Sequence, residues 1–258
     1  MKHTIKITAI LLGMFILAQL IGLIVIHAYN QQTLPYGMQP PEMKEEVSLT
    51  TIIFSFAIAI VVIFLLTKFK AAWFLRIWFF LVVILALGLT INTLFFKIPY
   101  GNYLALLIAL PLAFYKVFKQ NMIIHNVTEL LVYPGIAAVF VPILSILTII
   151  ILLLIISAYD IWAVWHSGFM QQMAKFQINK LKFFAGFFIP YADKKTRDKI
   201  KQLKATLTKK QLARKKIKVN LAILGGGDVV FPIIMAGVIL RSLGLIPALF
   251  TTLGATLA

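Results

Sequence analysis

The sequence has no cysteine and few acidic residues. The absence of cysteine excludes disulfide bonds, thiolate nucleophiles and thiolate metal sites. Eight residues are Asp or Glu, and charged residues of both signs make up 13% of the chain. Hydrophobic residues make up 61%, which would cover a soluble protein of 258 residues with apolar surface. The composition therefore predicts an integral membrane protein.

The net charge of +17 is concentrated in one part of the chain. Fifteen of the 25 Lys and Arg residues lie between Lys175 and Lys218. The hydrophobic remainder offers no basic and aromatic face of the kind that binds nucleic acid. A basic cluster between apolar segments is typical of a cytoplasmic loop beside anionic lipid. We therefore expect membrane lipid, and no nucleic acid, among the partners.

Seven hydrophobic segments could cross a bilayer, which takes about 20 helical residues, and an eighth has begun where the sequence ends. The predicted spans are Thr4–Ala28, Ser48–Thr67, Ala71–Leu94, Pro99–Tyr115, Glu129–Val141, Ile143–His166 and Val219–Leu240. The fifth is short, so we expect it either to include residues from Asn121 onward or to lie in a thinned region of the bilayer. The prediction is an all-α, polytopic transmembrane helical bundle.

Three parts follow from these spans: helices 1–6 in residues 1–168, a basic loop in 169–218, and helix 7 with a partial helix 8 in 219–258. Lys and Arg are frequent at alternate ends of successive spans, so the positive-inside rule places the N-terminus and the 169–218 loop in the cytoplasm. Within this loop Phe183–Tyr191 is apolar, and we expect it to lie in the membrane interface or to pack back on the bundle.

Two aspartates, Asp160 and Asp228, fall inside predicted spans. An ionisable group there costs at least about 2.5 kcal/mol, so it indicates a functional site. From the predicted helix ends, Asp160 is roughly 9 Å and Asp228 roughly 13 Å deep, which lets the two carboxyl groups meet on consecutive helices. The remaining acids are expected in loops or at helix ends where water reaches them: Glu42, Glu45, Glu46, Glu129, Asp193 and Asp198.

Two carboxyl groups in one site share a proton, because both cannot ionise at low cost. One can then take a proton from water while the other polarises a peptide carbonyl, which is the chemistry of aspartic proteases. Gly225, Gly226 and Gly227 directly precede Asp228 and would let a substrate backbone approach closely. Tyr159 is a further candidate for substrate binding, because its hydroxyl could donate a hydrogen bond beside Asp160.

An alternative interpretation is a proton-coupled transporter or ion-leak channel that uses the same two aspartates as a relay. Such a protein should show further polar groups along a continuous path, and the predicted spans contain few. The chain has neither an HExxH zinc motif nor a GxSxG serine motif. Its four histidines are scattered without ligand spacing, so we expect no metal and no cofactor: His3, His27, His125 and His166.

Tyr159-Asp160 in one span and Gly225-Gly226-Gly227-Asp228 in the next resemble the YD and GxGD motifs of the presenilin and signal-peptide-peptidase family. The short fifth span and the long loop between the aspartates are similar to the same family, and the whole chain looks like its archaeal presenilin-like members. The resemblance implies a nine-helix fold and an endopeptidase that cleaves transmembrane substrates, with Asp160 and Asp228 as the catalytic pair.

Pro247-Ala248-Leu249 matches the third motif of that family, PAL, which begins its ninth helix near the aspartates. Here the match follows Asp228 by 19 residues. That spacing corresponds to about 28 Å along a helix, so we expect these residues on the far side of the membrane. We therefore interpret the match as coincidental, and we expect this sequence to lack the end of helix 8 and all of helix 9.

Overall fold

A computed structural model describes residues 5–30, 32–38, 72–119, 121–162, 185–191 and 220–257, with seven positions between 50 and 62. Its continuous helices are α1 (Ile5–Tyr29), α2 (Ala72–Asn92), α3 (Gly101–Phe118), α4 (Met122–Phe140), α5 (Ile146–Trp162), α6 (Gly226–Leu243) and α7 (Leu245–Leu257). The strands are β1 (Gly186–Tyr191) and β2 (Asn220–Gly225). The predicted span Ser48–Thr67 lies largely outside the described residues.

Five of these helices are long and apolar enough to cross a membrane: α1, α2, α3, α4 with the 3₁₀ turn that follows it, and α6. The described part of α5 and the whole of α7 are shorter apolar helices. Many large apolar side chains lie on the outer faces, such as Ile24, Trp73 and Leu107. Apolar residues on all sides of a helix are typical of a bundle surrounded by lipid.

Helix α4 corresponds to the predicted short fifth span, Glu129–Val141, and it begins before that apolar stretch. It begins at Met122 because the side-chain oxygen of Asn121 accepts hydrogen bonds from the backbone N–H groups of Ile123 (3.0 Å) and Ile124 (3.2 Å). The sequence prediction that this span includes residues from Asn121 onward is therefore confirmed. The result is a helix of 19 residues that the 3₁₀ turn extends.

Helix α4 is also the centre of the bundle, in contact with α1, α2, α3, α6 and β1. Small residues make these contacts close. A methyl group at Gly135 would overlap the backbone of Ala86 in α2, so the two helices meet backbone to backbone at this point. Gly22 of α1 is packed in the same way against the side chain of Ile233 in α6. Close packing at small residues is the usual way in which transmembrane helices associate.

The largest correction to the predicted fold concerns the span Val219–Leu240. Its first residues form β2, which pairs with β1 in an antiparallel two-stranded sheet, with Gly186 opposite Gly225 and Tyr191 opposite Asn220. Leu221 and Ile223 are exposed while Ala222 between them is buried, which is the alternation of a strand. The prediction of one continuous helix was wrong here, because the run Gly225–Gly227 ends this apolar strand and begins α6.

The strand β1 belongs to the apolar segment that we expected at the interface or against the bundle. It packs against α4 and α1, so the second of these predictions is confirmed. At the other end of α6, Gly244 adopts a positive φ of 95° and α7 begins at the next residue. The 18 residues of α6 extend about 27 Å, so Pro247 is far from Asp228, as the spacing predicted.

Candidate active site

Asp228 lies in the first turn of α6, not in the middle of a span. Gly225 is the N-cap residue with φ −63° and ψ 144°, which makes Asp228 the third helical residue. Side chains of a helix lean towards its N-terminus. Accordingly, a Cβ atom at Gly225 would stand 2.9 Å from Oδ2 of Asp228. The carboxylate therefore lies over Gly225 at the junction of β2 and α6, where it is exposed.

The three glycines before Asp228 have different surroundings. Gly226 is buried, and a Cβ atom there would stand 2.9 Å from the hydroxyl of Tyr133 and 3.3 Å from the carbonyl carbon of Ala185. Its N–H donates to the carbonyl of Ala185 (3.1 Å). Gly227 is exposed, and its nearest neighbour would be the ring of Phe231 at 3.7 Å. Gly226 thus lets the start of α6 approach Tyr133 of α4 and the backbone of Ala185 closely, and Gly225 leaves room for the carboxylate.

Asp160 is carried by α5, which packs against α6. The carboxyl groups of Asp160 and Asp228 lie close enough to interact electrostatically. Tyr159 and Asp160 are both half-buried. The structure therefore brings together the two aspartates that the sequence singled out, with Asp228 beside the end of a strand.

Helix α1 supports α6 directly behind Asp228. Gln19 is completely buried, and its Nε2 donates to the carbonyl of Val229 (3.1 Å). Gln19 is not among the residues predicted from the sequence. Its signal in the sequence is that Gln19 is a polar side chain within the apolar middle part of a helix of 25 residues. Buried amides of this kind commonly bond to a neighbouring helix in membrane proteins.

A second group of charged residues lies near the strands, and it is buried. Nζ of Lys116 in α3 contacts Oε1 of Glu129 in α4 at 2.6 Å, and each side chain is 1% exposed. Nε2 of His125 lies 3.5 Å from the same oxygen. The prediction that water reaches Glu129 was wrong, because α3 and α4 enclose it together with its counter-charge.

Side chains of α4 bond to the edge of β1 that faces away from β2. Nε2 of His125 donates to the carbonyl of Gly186 (2.8 Å), and the Gly186 N–H donates to Oε1 of Glu129 (3.4 Å). The amide of Asn126 makes two bonds with Phe188, donating to its carbonyl (2.7 Å) and accepting from its N–H (3.0 Å). Pro190 is the next residue of β1 whose backbone faces this edge, and it has no N–H group that would need an acceptor. One edge of the sheet is therefore closed.

The opposite edge of the sheet belongs to β2, and the structure describes no third strand there. Because backbone groups of an antiparallel pair alternate in direction, the N–H and C=O groups of Leu221 and Ile223 point to this second edge. Both side chains are more than 40% exposed. Among the described residues, no three His, Asp or Glu side chains converge as metal ligands would.

Comparison with known proteins places these features in a family. Residues 12–256 match the family model described as signal-peptide peptidase, presenilin aspartyl protease. A solved structure of a presenilin family intramembrane aspartate protease superposes with a TM-score of 0.54 at 15% identity, covering 96% of this chain and 82% of that one. At this identity the likeness concerns the fold, and it confirms the predicted presenilin-like bundle. No curated protein matches the sequence.

Proposed function

The chain belongs to the signal-peptide peptidase, presenilin aspartyl protease family, and from that membership we propose that Asp160 and Asp228 form its catalytic pair. The family is one of intramembrane aspartyl proteases, and several apolar helices make this an integral, multi-pass membrane protein. The observation that carries the proposal is the electrostatic interaction of two carboxyl groups on packed helices. The proposed reaction is hydrolysis of peptide bonds within transmembrane helices of membrane-protein substrates.

Hydrolysis by this pair requires one shared proton and one water molecule. The ionised carboxyl group takes a proton from water as the water oxygen bonds to the scissile carbonyl carbon. The protonated carboxyl group gives its proton to the carbonyl oxygen, which forms a tetrahedral diol. Collapse of the diol breaks the C–N bond: the amide nitrogen leaves with the proton of the pair, and a diol hydroxyl group returns a proton to the other carboxylate. The products are a carboxylic acid and an amine, and no covalent intermediate is needed.

The open edge of β2 supports a role in holding the substrate. A helical substrate must unwind locally, because a helix keeps its peptide carbonyls bonded within itself. An unwound segment can pair with the N–H and C=O groups of Leu221 and Ile223 as an added strand. Such a strand would run past Gly225, above which the carboxylate of Asp228 lies. Gly225, Gly226, Gly227 and Tyr159 remain the candidate substrate-contacting residues, with Gly226 set back in the packing.

The proposed orientation has the N-terminus and the 169–218 loop in the cytoplasm, following the distribution of Lys and Arg. The ends of α3 and α5 and the beginnings of α4 and α6 then lie on the cytoplasmic side. The catalytic pair would receive water from that side. The basic loop would lie beside anionic lipid, which we propose as a second partner in addition to transmembrane substrates.

The test is cleavage of a fluorogenic single-span substrate in liposomes by the native chain and by Asp160→Asn and Asp228→Asn. Each substitution keeps the shape of the side chain and removes its charge and proton. We expect each to lower kcat by about 10⁴-fold or more, because the two groups act as a unit. The matched control is Asp198→Asn in the basic loop, for which we expect native activity.

Two outcomes would contradict the proposal. Cleavage that survives either substitution would exclude a two-aspartate mechanism. An absence of cleavage by the native chain, together with proton or ion flux that needs both aspartates, would instead favour the transporter interpretation. The flux is measured in the same liposomes with a pH-sensitive dye.

A further inference from the structure

The two-stranded sheet beside Asp228 cannot be stable by itself. An isolated pair of short strands is marginal in water, and 28 residues separate Tyr191 from Asn220. Something outside the sheet must therefore hold β1 and β2 together. The contacts of β1 identify this support as α4.

Four hydrogen bonds join α4 to the outer edge of β1, and they account for every outward N–H and C=O group of Gly186 and Phe188. Ring contacts strengthen the attachment. The ring of His125 lies 4.9 Å from that of Phe188, and the ring of Tyr133 lies 5.6 Å from that of Phe187, between centroids. Phe187 is completely buried. We call the side chains of His125, Asn126 and Glu129 the α4 latch.

The latch includes a charge that needs its own support. A carboxylate that is 1% exposed loses nearly all of its hydration, which is costly unless a counter-charge and hydrogen bonds replace it. Lys116 supplies the counter-charge at 2.6 Å, and the Gly186 N–H supplies a hydrogen bond. Glu129 can therefore act as a fixed acceptor for the first residue of β1.

A short series of contacts links the position of β1 to the position of Asp228. Gly186 stands opposite Gly225 in the strand register, and Gly226 bonds to the carbonyl of Ala185. Gly225 is the residue over which the Asp228 carboxylate lies. A movement of β1 would shift the start of α6, and with it the carboxylate.

We propose that Asn126 and Glu129 are positioning residues, which hold the strand pair in place before substrate arrives and thereby fix the carboxylate of Asp228. The proposal rests on the proposed catalytic role of Asp228. It differs from a sheet that forms only when a substrate strand is added, because α4 satisfies the outer edge of β1 without any substrate. Asn126 is the better residue to test, since it is half-buried and carries no charge.

The experiment compares native protein with Asn126→Ala, Asn126→Asp and the neighbouring control Val127→Ala, whose side chain is 49% exposed. Hydrogen–deuterium exchange without substrate reports on the strands. We expect slow exchange in residues 185–191 and 220–225 of the native protein and of the control. In Asn126→Ala, the loss of both bonds to Phe188 should raise exchange in these two segments about tenfold, with α1 and α2 unchanged.

Cleavage kinetics report on the carboxylate. We expect Asn126→Ala to lower kcat about tenfold with little change in KM, because the substrate edge of β2 is retained while the reacting group is displaced. Asn126→Asp tests whether kcat recovers at low pH, which a loss of stability would not produce. A protonated carboxyl group has one donor and one acceptor, as the amide has, so the ratio of variant to native kcat should rise towards one as the pH is lowered.

Three results would overturn the proposal. Rapid exchange of both strands in the native protein would mean that the sheet is not held in advance. Unchanged exchange in Asn126→Ala would mean that the latch does not hold it. Faster exchange with unchanged kcat would mean that the latch does not position Asp228. If no form cleaves, the proposed function fails and the positioning role fails with it, while the exchange data still decide whether α4 holds the sheet.

Discussion

Two sets of ionisable residues lie at the same end of the bundle, and their surroundings are opposite: the structural set of Lys116 and Glu129, and the pair Asp160 and Asp228. Glu129 is enclosed, contacts the positive charge of Lys116 and accepts a backbone hydrogen bond. Asp228 is exposed, and Asp160, with which it interacts among the described residues, is a second acid that offers no counter-charge. A charge that supports a membrane fold is neutralised and fully bonded. A charge that performs chemistry keeps acceptors free for water and protons.

The largest expected effect is on the free energy of unfolding when a carboxylate is replaced by its amide in each of the two sets. Glu129→Gln should lower the free energy of unfolding by about 3–5 kcal/mol, because it leaves the buried ammonium group of Lys116 without a counter-charge. Asp160→Asn and Asp228→Asn should change the free energy of unfolding by less than about 0.5 kcal/mol. The measurement is the unfolding midpoint in detergent by tryptophan fluorescence. Equal losses at the three positions would remove the distinction between the two sets.

A smaller effect is expected from filling the space beside Asp228. Gly225→Ala places a methyl group 2.9 Å from Oδ2 of the carboxylate, so the carboxylate must move. A displacement on the order of 1 Å at a reacting group costs about 100-fold in rate. The measurement is kcat for the single-span substrate. The matched control is Gly13→Ala in α1, where a methyl group would meet nothing within 4 Å, and native kcat is expected there.

A native rate for Gly225→Ala would show that the carboxylate adjusts freely. The room above Gly225 would then have no part in setting the geometry of the site, and the glycine would serve only the turn from β2 into α6.

The smallest expected effect is that of removing both charges of the structural set. In Lys116→Met combined with Glu129→Gln, neither partner is left as an unpaired charge, and the Gln carbonyl can still accept the Gly186 N–H bond. The double variant should lose only about 1 kcal/mol of unfolding free energy, less than Glu129→Gln alone. Unfolding of the double variant and of both single variants completes the cycle. A double variant as unstable as the sum of the singles would contradict the account of Glu129 as a neutralised charge.

The helices and the two aspartates could be predicted from the sequence because each depends on local or strongly constrained signals. An apolar run of helical length has few folds open to it in a bilayer. An aspartate in such a run, as at Asp160, is costly enough to indicate function. The family motifs then supplied the proposed catalytic roles of both residues. The short fifth span could be extended correctly because a bilayer crossing takes about 20 helical residues.

The strand β2 could not be predicted in the same way. Leu221 to Leu224 is a short apolar run, and periodicity does not distinguish a strand from a helix over that length. Its partner β1 lies beyond a long basic segment, so the pairing is not local. The predicted span Val219–Leu240 puts the run of glycines before Asp228 inside a helix, whereas these glycines mark the end of a strand and the start of a helix. Because glycine often marks the end of a helix or strand, this run of glycines was the signal in the sequence for the boundary between β2 and α6.

The burial of Glu129 was missed for a different reason. Near a helix end, an acidic residue is usually exposed, and nothing in its immediate neighbours contradicts that. Its burial follows from its pairing with Lys116 of α3. Opposite charges on both sides of the short connection between α3 and α4 were the available signal.

The position of the ion pair along the chain has a consequence for how the protein is made. Lys116 and Glu129 are 13 residues apart, on helices that adjoin in the sequence. The two charges can therefore neutralise each other as soon as this helical hairpin leaves the ribosome, before either would have to enter lipid alone at a cost of about 2.5–3.5 kcal/mol. Asp160 and Asp228 are separated by 68 residues and can meet only when α6 has been synthesised. The nascent membrane protein thus acquires its matched charges early and its pair of like charges late.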